Sequence, residues 1–380
     1  MARPTVARID LRALASNYRA VVDLVTRESD AGEVVAPGVI AVVKANAYGH
    51  GATQVARALE HAGATMLACA DIEEGTALRA AGVRAEILVF GALSVSDLDG
   101  VFDGGLTPTI STPGAARALQ AAAVRYRQRL RYHLKIDTGM NRLGFRFDNL
   151  SRTVPELLAN PNLELEAVYT HFATADVPAS PLFDEQRRRF DRAVADLQGM
   201  GGRPRRRHAA NSAALLRDTR VWYDLVRPGL LLYGIVPPPL AAPLPLEPVM
   251  SLASRVVAVK GLRTGESTGY GARFVAERPT TIAIVPAGYA DGLDMRLAGR
   301  GAALIRGCRV PIVGSVCMDM IMVDVTGLSV SPGDEVVLIG GQADDRIDAR
   351  EMAAAIGSIP WEIVCRLGSR IERHYDRAEG

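Results

Sequence analysis

The sequence predicts an α/β chain: a closed (β/α)8 barrel followed by a mostly β C-terminal domain. Three observations carry that prediction. Eight short apolar runs alternate with helical patterns between residues 39 and 226. The texture then changes at the proline run Pro237-Pro238-Pro239. Polar residues suited to chemistry recur just past the apolar runs. The expected division is a barrel over residues 1–240 and a β-strand domain over 241–380.

Ile9-Asp10-Leu11 leads into an amphipathic stretch, Leu14, Tyr18, Val21, Val22 and Leu24, spaced as one helix face with Asp10 or the residues just after it placed to cap it. The strand candidates are Val39–Val43, Met66–Ala70, Ile87–Phe90, Thr107–Ile110, Tyr132–Ile136, Leu165–Tyr169, Arg206–Ala210 and Tyr223–Val226. Between them, Thr53–His61, Ile72–Ala81, Ala115–Arg125 and Phe183–Leu197 carry alanine, arginine and leucine at helical spacing. An open doubly wound sheet is the alternative, but no GxGxxG follows an early strand. Past a proline-rich linker running to Pro248, short β-rich segments take over: Ser254–Val259, Thr281–Val285, Ala302–Ile305, Val310–Val313, Met320–Val325 and Glu335–Leu338. Glycine turns separate them, and Ala349–Ile356 is expected to be the single late helix.

Composition narrows the function. Hydrophobic residues make up 48% and charged residues 23% of 380, with a net charge of +2, so nothing electrostatic calls for nucleic acid or an anionic membrane. The basic clusters Arg187–Arg189 and Arg203–Arg207 lack interleaved aromatics and read as solvated faces. Cys69, Cys308, Cys317 and Cys365 show no CxxC spacing, which argues against a metal site and for a reducing compartment. The opening MARPTVARIDL lacks the apolar core of a secretory signal, and no segment approaches about 18 uninterrupted apolar residues. A cytoplasmic enzyme is the expectation.

The carboxyl ends of barrel strands share one face, where catalytic groups gather. Lys44 ends the first run in GVIAVVKANAYGHG. A lysine held at that buried edge is partly desolvated, which favours its neutral, nucleophilic amine. Lys135 and Asp137 end the fifth run in HLKIDTGMNRLG, with Arg142 in the following loop. His171 ends the sixth, Asn211 and Ser212 follow the seventh, and Arg227 ends the eighth. Ser212, Gly229 and the amides around Leu230 suit a phosphate site made by the last two loops. A phosphate-bearing aldehyde cofactor joined covalently to Lys44 would use all of these groups, and pyridoxal phosphate is the obvious candidate. A phosphosugar aldolase shares much of the pattern but gives the second domain no task.

AVVKANAYGHG, HLKIDTGMNRLG, YTHFATAD, ANSAA, GYGARF, PAGYADG and PIVGSVCMDMIMVDVTG together make the chain resemble the alanine racemases, fold-type III pyridoxal-phosphate enzymes, over nearly its whole length. The resemblance implies a cytoplasmic homodimer that interconverts L- and D-alanine and supplies D-alanine for peptidoglycan. Residue by residue, it implies that Lys44 holds the cofactor and serves as one base. Tyr270, supplied by the other subunit, is the opposite base. Tyr48, Ser212, Gly229 and Leu230 hold the phosphate. Arg142 meets the cofactor's phenolic oxygen and the substrate carboxylate, and Met318 from the other subunit meets that carboxylate through its backbone. Tyr289 lines the entrance, and Lys135 matches a lysine often carbamylated in the family.

Two bases make chemical sense, because racemisation removes the α-proton from one face and returns one on the other. Free lysine and tyrosine have pKa values near roughly 10.4 and 10, so both need shifting. Desolvation and cationic neighbours lower Lys44, and a hydrogen bond from His171 would favour ionised Tyr270, with His171 contacting Arg227 in turn. The resemblance sets Arg227 against the pyridine nitrogen. A guanidinium donates there and disfavours protonation, so the ring is a weaker electron sink and transamination is suppressed.

One departure stands out. Trp361 in SIPWEIVC occupies a position where the family usually has tyrosine. It keeps an aromatic wall and an N–H donor but is larger and accepts no hydrogen bond, so the pocket is expected to be tighter against serine. Alternatives are a serine or broad-specificity racemase, a fold-type III decarboxylase whose cysteine-and-aspartate motif is not evident here, and a non-catalytic pyridoxal-phosphate carrier, which would lack the second domain.

Overall fold

The computed structural model describes residues 4–31, 35–93 and 98–376; the first three residues of the N-terminal stretch read above lie outside them. The chain opens with strand β1 (Val6–Asp10) and helix α1 (Leu11–Ala31). Asp10 caps that helix, its Oδ1 accepting from the N–H groups of Arg12 at 2.8 Å and Ala13 at 2.9 Å. The helix buries Leu14, Tyr18, Val21, Leu24 and Val25, each contributing about 1.5–3 kcal/mol on burial.

The barrel then winds through β2 (Gly38–Val42), β3 (Met66–Cys69), β4 (Glu86–Val89), β5 (Thr107–Ile110) and β6 (Leu130–Asp137). A two-residue ribbon, β7 (Phe145–Arg146), pairs beside β6. The wall continues with β8 (Leu163–Tyr169), β9 (Arg206–Asn211) and β10 (Leu225–Arg227). All eight wall strands are parallel, and β10 pairs back onto β2, so the expected closed barrel is present. Its interior is divided chemically. On one side Ile40, Val42, Met66, Ala68, Leu88 and Leu225 form a compact apolar cluster. On the other side, β5, β6, β8, β9 and β10 bring Thr109, His133, Lys135, Tyr169, His208 and Arg227 into the buried interior. The polar half is where chemistry can be placed.

The second sheet holds β11 (Met250–Arg255), β12 (Ala258–Leu262), β15 (Thr280–Val285), β16 (Ala302–Ile305), β17 (Cys308–Val313), β18 (Ile321–Asp324), β19 (Glu335–Gln342), β20 (Asp345–Ile347) and β21 (Glu372–Asp376). A small separate ribbon is made by β13 (Ser267–Thr268) and β14 (Phe274–Val275). Three details differ from the sequence reading. The Ser254–Val259 run is two strands, β11 and β12. Pro360–Cys365 is a second late helix after Ala349–Ile356, started by a proline at its first turn. The third is β1, which lies between β11 and β21 in this sheet although it precedes the barrel in sequence. Asn17 on α1 pins the linker, its amide donating to Leu232 O and Glu247 O while accepting from Glu247 N–H.

Candidate active site

The strand β2 ends one residue before Val43, and Lys44 opens a turn of unusual hand. Ala45, Asn46, Ala47 and Tyr48 all have φ between 51° and 55°, a run of left-handed residues none of which is glycine. Each costs roughly 1–2 kcal/mol relative to the right-handed form, so the turn needs external holding. Glu74 supplies it: one carboxylate oxygen accepts from Ala45 N–H at 2.7 Å and Asn46 N–H at 3.3 Å, the other from Ala70 N–H at 2.8 Å. Asn46 contributes as well, its side chain accepting from Ala52 N–H at 2.8 Å. Glu74→Ala is expected to lower unfolding stability by about 2–3 kcal/mol and to loosen the Lys44 turn, with Glu74→Gln recovering part of the loss. Denaturant titration checks this; an unchanged midpoint in Glu74→Ala would mean that the turn holds itself.

Lys44 projects into a cavity of about 470 Å3 at the carboxyl end of the barrel. Tyr48, Ser212, Gly229 and Leu230 line one part of it. Lys135, Arg142, His171 and Arg227 line the rest, and Trp361 from the Pro360–Cys365 helix closes in from the second domain. Asp137 shapes the loop that presents Arg142: a single carboxylate oxygen accepts from the N–H groups of Gly139, Met140 and Asn141 at 2.9–3.0 Å. Asn211 caps the short helix begun by Ser212. The Ser212 hydroxyl accepts from Gly229 N–H at 2.9 Å and, more weakly, from Leu231 N–H at 3.5 Å, folding the last two loops against each other. Gly229 is required by space, since a Cβ there would stand 2.5 Å from the Tyr48 hydroxyl.

The electrostatics of the cavity are lopsided. Lys44, Lys135, Arg142 and Arg227 all line it, against Asp176 as the one carboxylate among its lining residues. Burial lowers Lys44, and the Arg142 charge lowers it further. The same two causes push Lys135 down to about 8, and its ammonium lies 5.6 Å from the centre of the Tyr169 ring. His171 is held well below the usual imidazole range by burial and by Arg227, so it is neutral near pH 7. Arg227 is buried and brought down to about 10, still protonated at neutrality. One of its terminal nitrogens donates to Thr170 O and Ala209 O at 2.9 Å and lies 3.4 Å from His171 Nδ1. A concave site with this surplus of positive charge is built for an anionic occupant.

Two predicted residues are elsewhere. Tyr270 is 78% exposed and Met318 52% exposed; neither lines the Lys44 cavity, and both border a shallow depression on the second domain with Lys260, Met320 and Met322. Their backbones are nevertheless fixed. Ser315 donates to Tyr270 O at 2.6 Å, and Met318 O accepts from Ala290 N–H at 3.0 Å, beside the half-exposed Tyr289. Sequence reasoning missed Glu74 and His208. The D-x-x-E spacing of Asp71 and Glu74 announces a helix start, and Asp71 does cap it, but nothing local tells that Glu74 reaches back across the barrel edge. Among the described residues no group of three or more His, Cys, Asp or Glu could hold a metal ion, and no helix is long and apolar enough to cross a membrane.

Two family models match the chain: the alanine racemase N-terminal domain over residues 9–237 and the alanine racemase C-terminal domain over residues 249–375. An alanine racemase of Symbiobacterium thermophilum is 43% identical, covering 98% of this chain and 97% of its own length. The crystal structure of alanine racemase from the D-cycloserine producer Streptomyces lavendulae superposes with a TM-score of 0.93 at 34% identity, covering 100% of this chain and 98% of that one. A Bartonella henselae alanine racemase with covalently bound pyridoxal phosphate gives a TM-score of 0.87 at 29% identity, over 98% and 99% of the two chains.

Proposed function

Because the chain belongs to the alanine racemase family, we propose that it interconverts L- and D-alanine at the Lys44 cavity, with pyridoxal phosphate as cofactor and with residues from two copies of the chain. The racemase activity itself follows from family membership over the whole length. The observation that supports a two-chain site is the exposure of Tyr270 and Met318 away from a cavity lined by Lys44, Tyr48, Lys135, Arg142, His171 and Arg227. Racemisation needs a second base on the face opposite Lys44, and a homodimer whose facing second domain delivers Tyr270 and Met318 would meet that need.

The residues fit the cofactor. Ser212, Tyr48 and the glycine-shaped backbone at Gly229 and Leu230 would hold a phosphate, and the positive surplus suits its charge. Bound there, pyridoxal phosphate would supply an aldehyde carbon for the Lys44 amine and a conjugated ring to share the charge left when the α-proton departs. Lys44, lowered by burial and Arg142, can take and return a proton at its Nζ on one face. Tyr270 of the partner subunit would do the same at its hydroxyl on the other. Arg227 stays a donor near pH 7, so it would hold the pyridine nitrogen unprotonated and restrain charge delocalisation. Arg142 would fix the substrate carboxylate, with the backbone N–H of the partner subunit's Met318 beside it.

Lys135 supports a carbamate: its amine is partly neutral near pH 7, as attack on carbon dioxide requires, and the resulting anion would offset Arg142. Labelled bicarbonate should give a carbamate carbon resonance that is absent from Lys135→Ala and grows between pH 6 and pH 8. D-alanine for peptidoglycan precursors, made in the cytoplasm, is the proposed role, and a strain lacking the gene should require D-alanine unless a second racemase exists.

Chiral analysis of the purified protein with pyridoxal phosphate, offered L-alanine and L-serine separately, tests the reading. D-alanine with little D-serine is expected, given Trp361 in the cavity wall. Comparable D-serine would move the assignment to a broader racemase, and no D-product with cofactor bound would overturn it.

A further inference from the structure

Below Arg227 the barrel interior holds a line of buried polar groups that the proposed chemistry leaves unused. Arg227 Nη1 lies 2.6 Å from His208 Nδ1. A guanidinium only donates, so this ring nitrogen accepts and the His208 proton sits on Nε2. That nitrogen lies 3.0 Å from His133 Nδ1, which must accept in turn, leaving His133 with its own proton on Nε2. Burial and the surrounding arginines bring His133 down to about 3 and His208 well below its usual range, so neither ring carries a second proton near neutrality. The guanidinium thus favours one tautomer of each ring, and what His133 Nε2–H meets at the far end decides how firmly that choice is held.

The line ends in two groups short of a hydrogen bond. His133 Nε2 is buried without a hydrogen-bond partner, and so is Glu166 Oε2, which has only the Arg205 guanidinium at 3.8 Å as an ion-pair partner. Strand register brings them together. Tyr132 faces Leu165 and His133 faces Ala167 across β6 and β8, so Glu166 is the extra residue of a bulge beside His133. Arg206, opposite Ala167 on β9, comes within 3.7 Å of Glu166 Oε1, and its charge also acts on His133. A donor and an acceptor shut away from solvent in one layer of the barrel call for a common partner, and a water that accepts from one and donates to the other meets both needs.

We propose that His133 and Glu166 are positioning residues sharing one buried water, with His133 Nε2–H donating to it and the water donating to Glu166 Oε2, and that this pair locks the His133–His208 tautomers and the aim of Arg227. The second terminal nitrogen of Arg227 is taken up by Thr170 O, Ala209 O and His171. Only Nε–H and one Nη1–H remain for the cavity. A proton shifted to His208 Nδ1 would face Arg227 donor to donor and push the guanidinium off line. The proposal rests on the reading that places Arg227 in the catalytic cavity.

The test is long-range proton–nitrogen NMR of the holoenzyme with labelled histidine. Between pH 6 and 8, His133 and His208 should both be neutral and protonated on Nε2. Glu166→Leu should bring a second tautomer at both rings and lower kcat about tenfold with KM within about twofold, and Glu166→Gln, which keeps an acceptor, should restore both. A wild-type His133 protonated on Nδ1, or tautomers unmoved in Glu166→Leu, overturns the proposal. If the leucine variant does not fold, magnetisation transfer from a buried water to His133 Nε2–H in the wild type decides, and its absence overturns the proposal. Failure of the racemase reading would show separately, as absent D-alanine with the tautomers in place.

Discussion

Mixing Lys44→Ala protein with Tyr270→Phe protein, each inactive alone, should restore about a quarter of wild-type racemisation after subunit exchange. Each variant homodimer lacks one base in both of its sites, and losing a positioned acid–base group costs about 10²–10⁴ in rate. Random exchange makes half of the dimers hybrid. In a hybrid, one site keeps Lys44 from one subunit and Tyr270 from the other, while its companion site lacks both. Chiral analysis over the course of exchange reads the recovery. If Tyr270 served its own chain instead, every site in the hybrid would lack a base and the mixture would stay dead. The exposure of Tyr270 at 78%, outside the Lys44 cavity, predicts recovery.

Gly229→Ala should weaken pyridoxal phosphate binding by about a hundredfold, equivalent to about 2.7 kcal/mol. Backbone strain is not the cause. Gly229 has φ −117° and ψ −76°, outside the positive-φ region that favours glycine. The effect is one of space: the new methyl would stand 2.5 Å from the Tyr48 hydroxyl and 3.1 Å from its ring carbon, where the proposed phosphate cradle closes. Overpacking of this kind costs about 1–3 kcal/mol. Tyr48 cannot easily withdraw, because its own backbone belongs to the left-handed turn and its ring packs 5.0 Å from that of Tyr233. Gly114→Ala is the control, since a Cβ there meets only Thr112 Oγ1 at 3.9 Å. Cofactor titration followed by absorbance distinguishes the two. Equal affinity in Gly229→Ala would move the phosphate elsewhere.

The barrel was legible because its strands are local and apolar: Val39 to Val43, Met66 to Ala70 and the runs that follow lie within a residue or two of the observed strands. The polar residues after those runs were legible for the same reason, since strand ends share a face. What escaped was non-local or contrary to propensity. Alanine and tyrosine in KANAY disfavour a left-handed turn; Glu74, 29 residues from Ala45, holds them there. The His208–His133 pair was hidden because each histidine sits in an unremarkable strand and only register makes them neighbours. The Pro360–Cys365 helix is six residues long, too short for periodicity to announce.

The place of β1 has a consequence for how the molecule is made. Residues 6–10 leave the ribosome before either partner: β11 follows about 240 residues behind and β21 about 366. At about 5–20 residues per second, β1 waits on the order of 20–70 seconds for the partner of its β21 edge. The second sheet can therefore close only once β21 has been made, and by a contact of very large sequence separation, which is slow. The barrel, whose strands pair consecutively except for the closing β10–β2 pair, is free to form meanwhile. Cutting the gene at the proline linker would thus strand β1 with the wrong partner, and the β half should express as an aggregating fragment unless residues 6–10 are supplied with it.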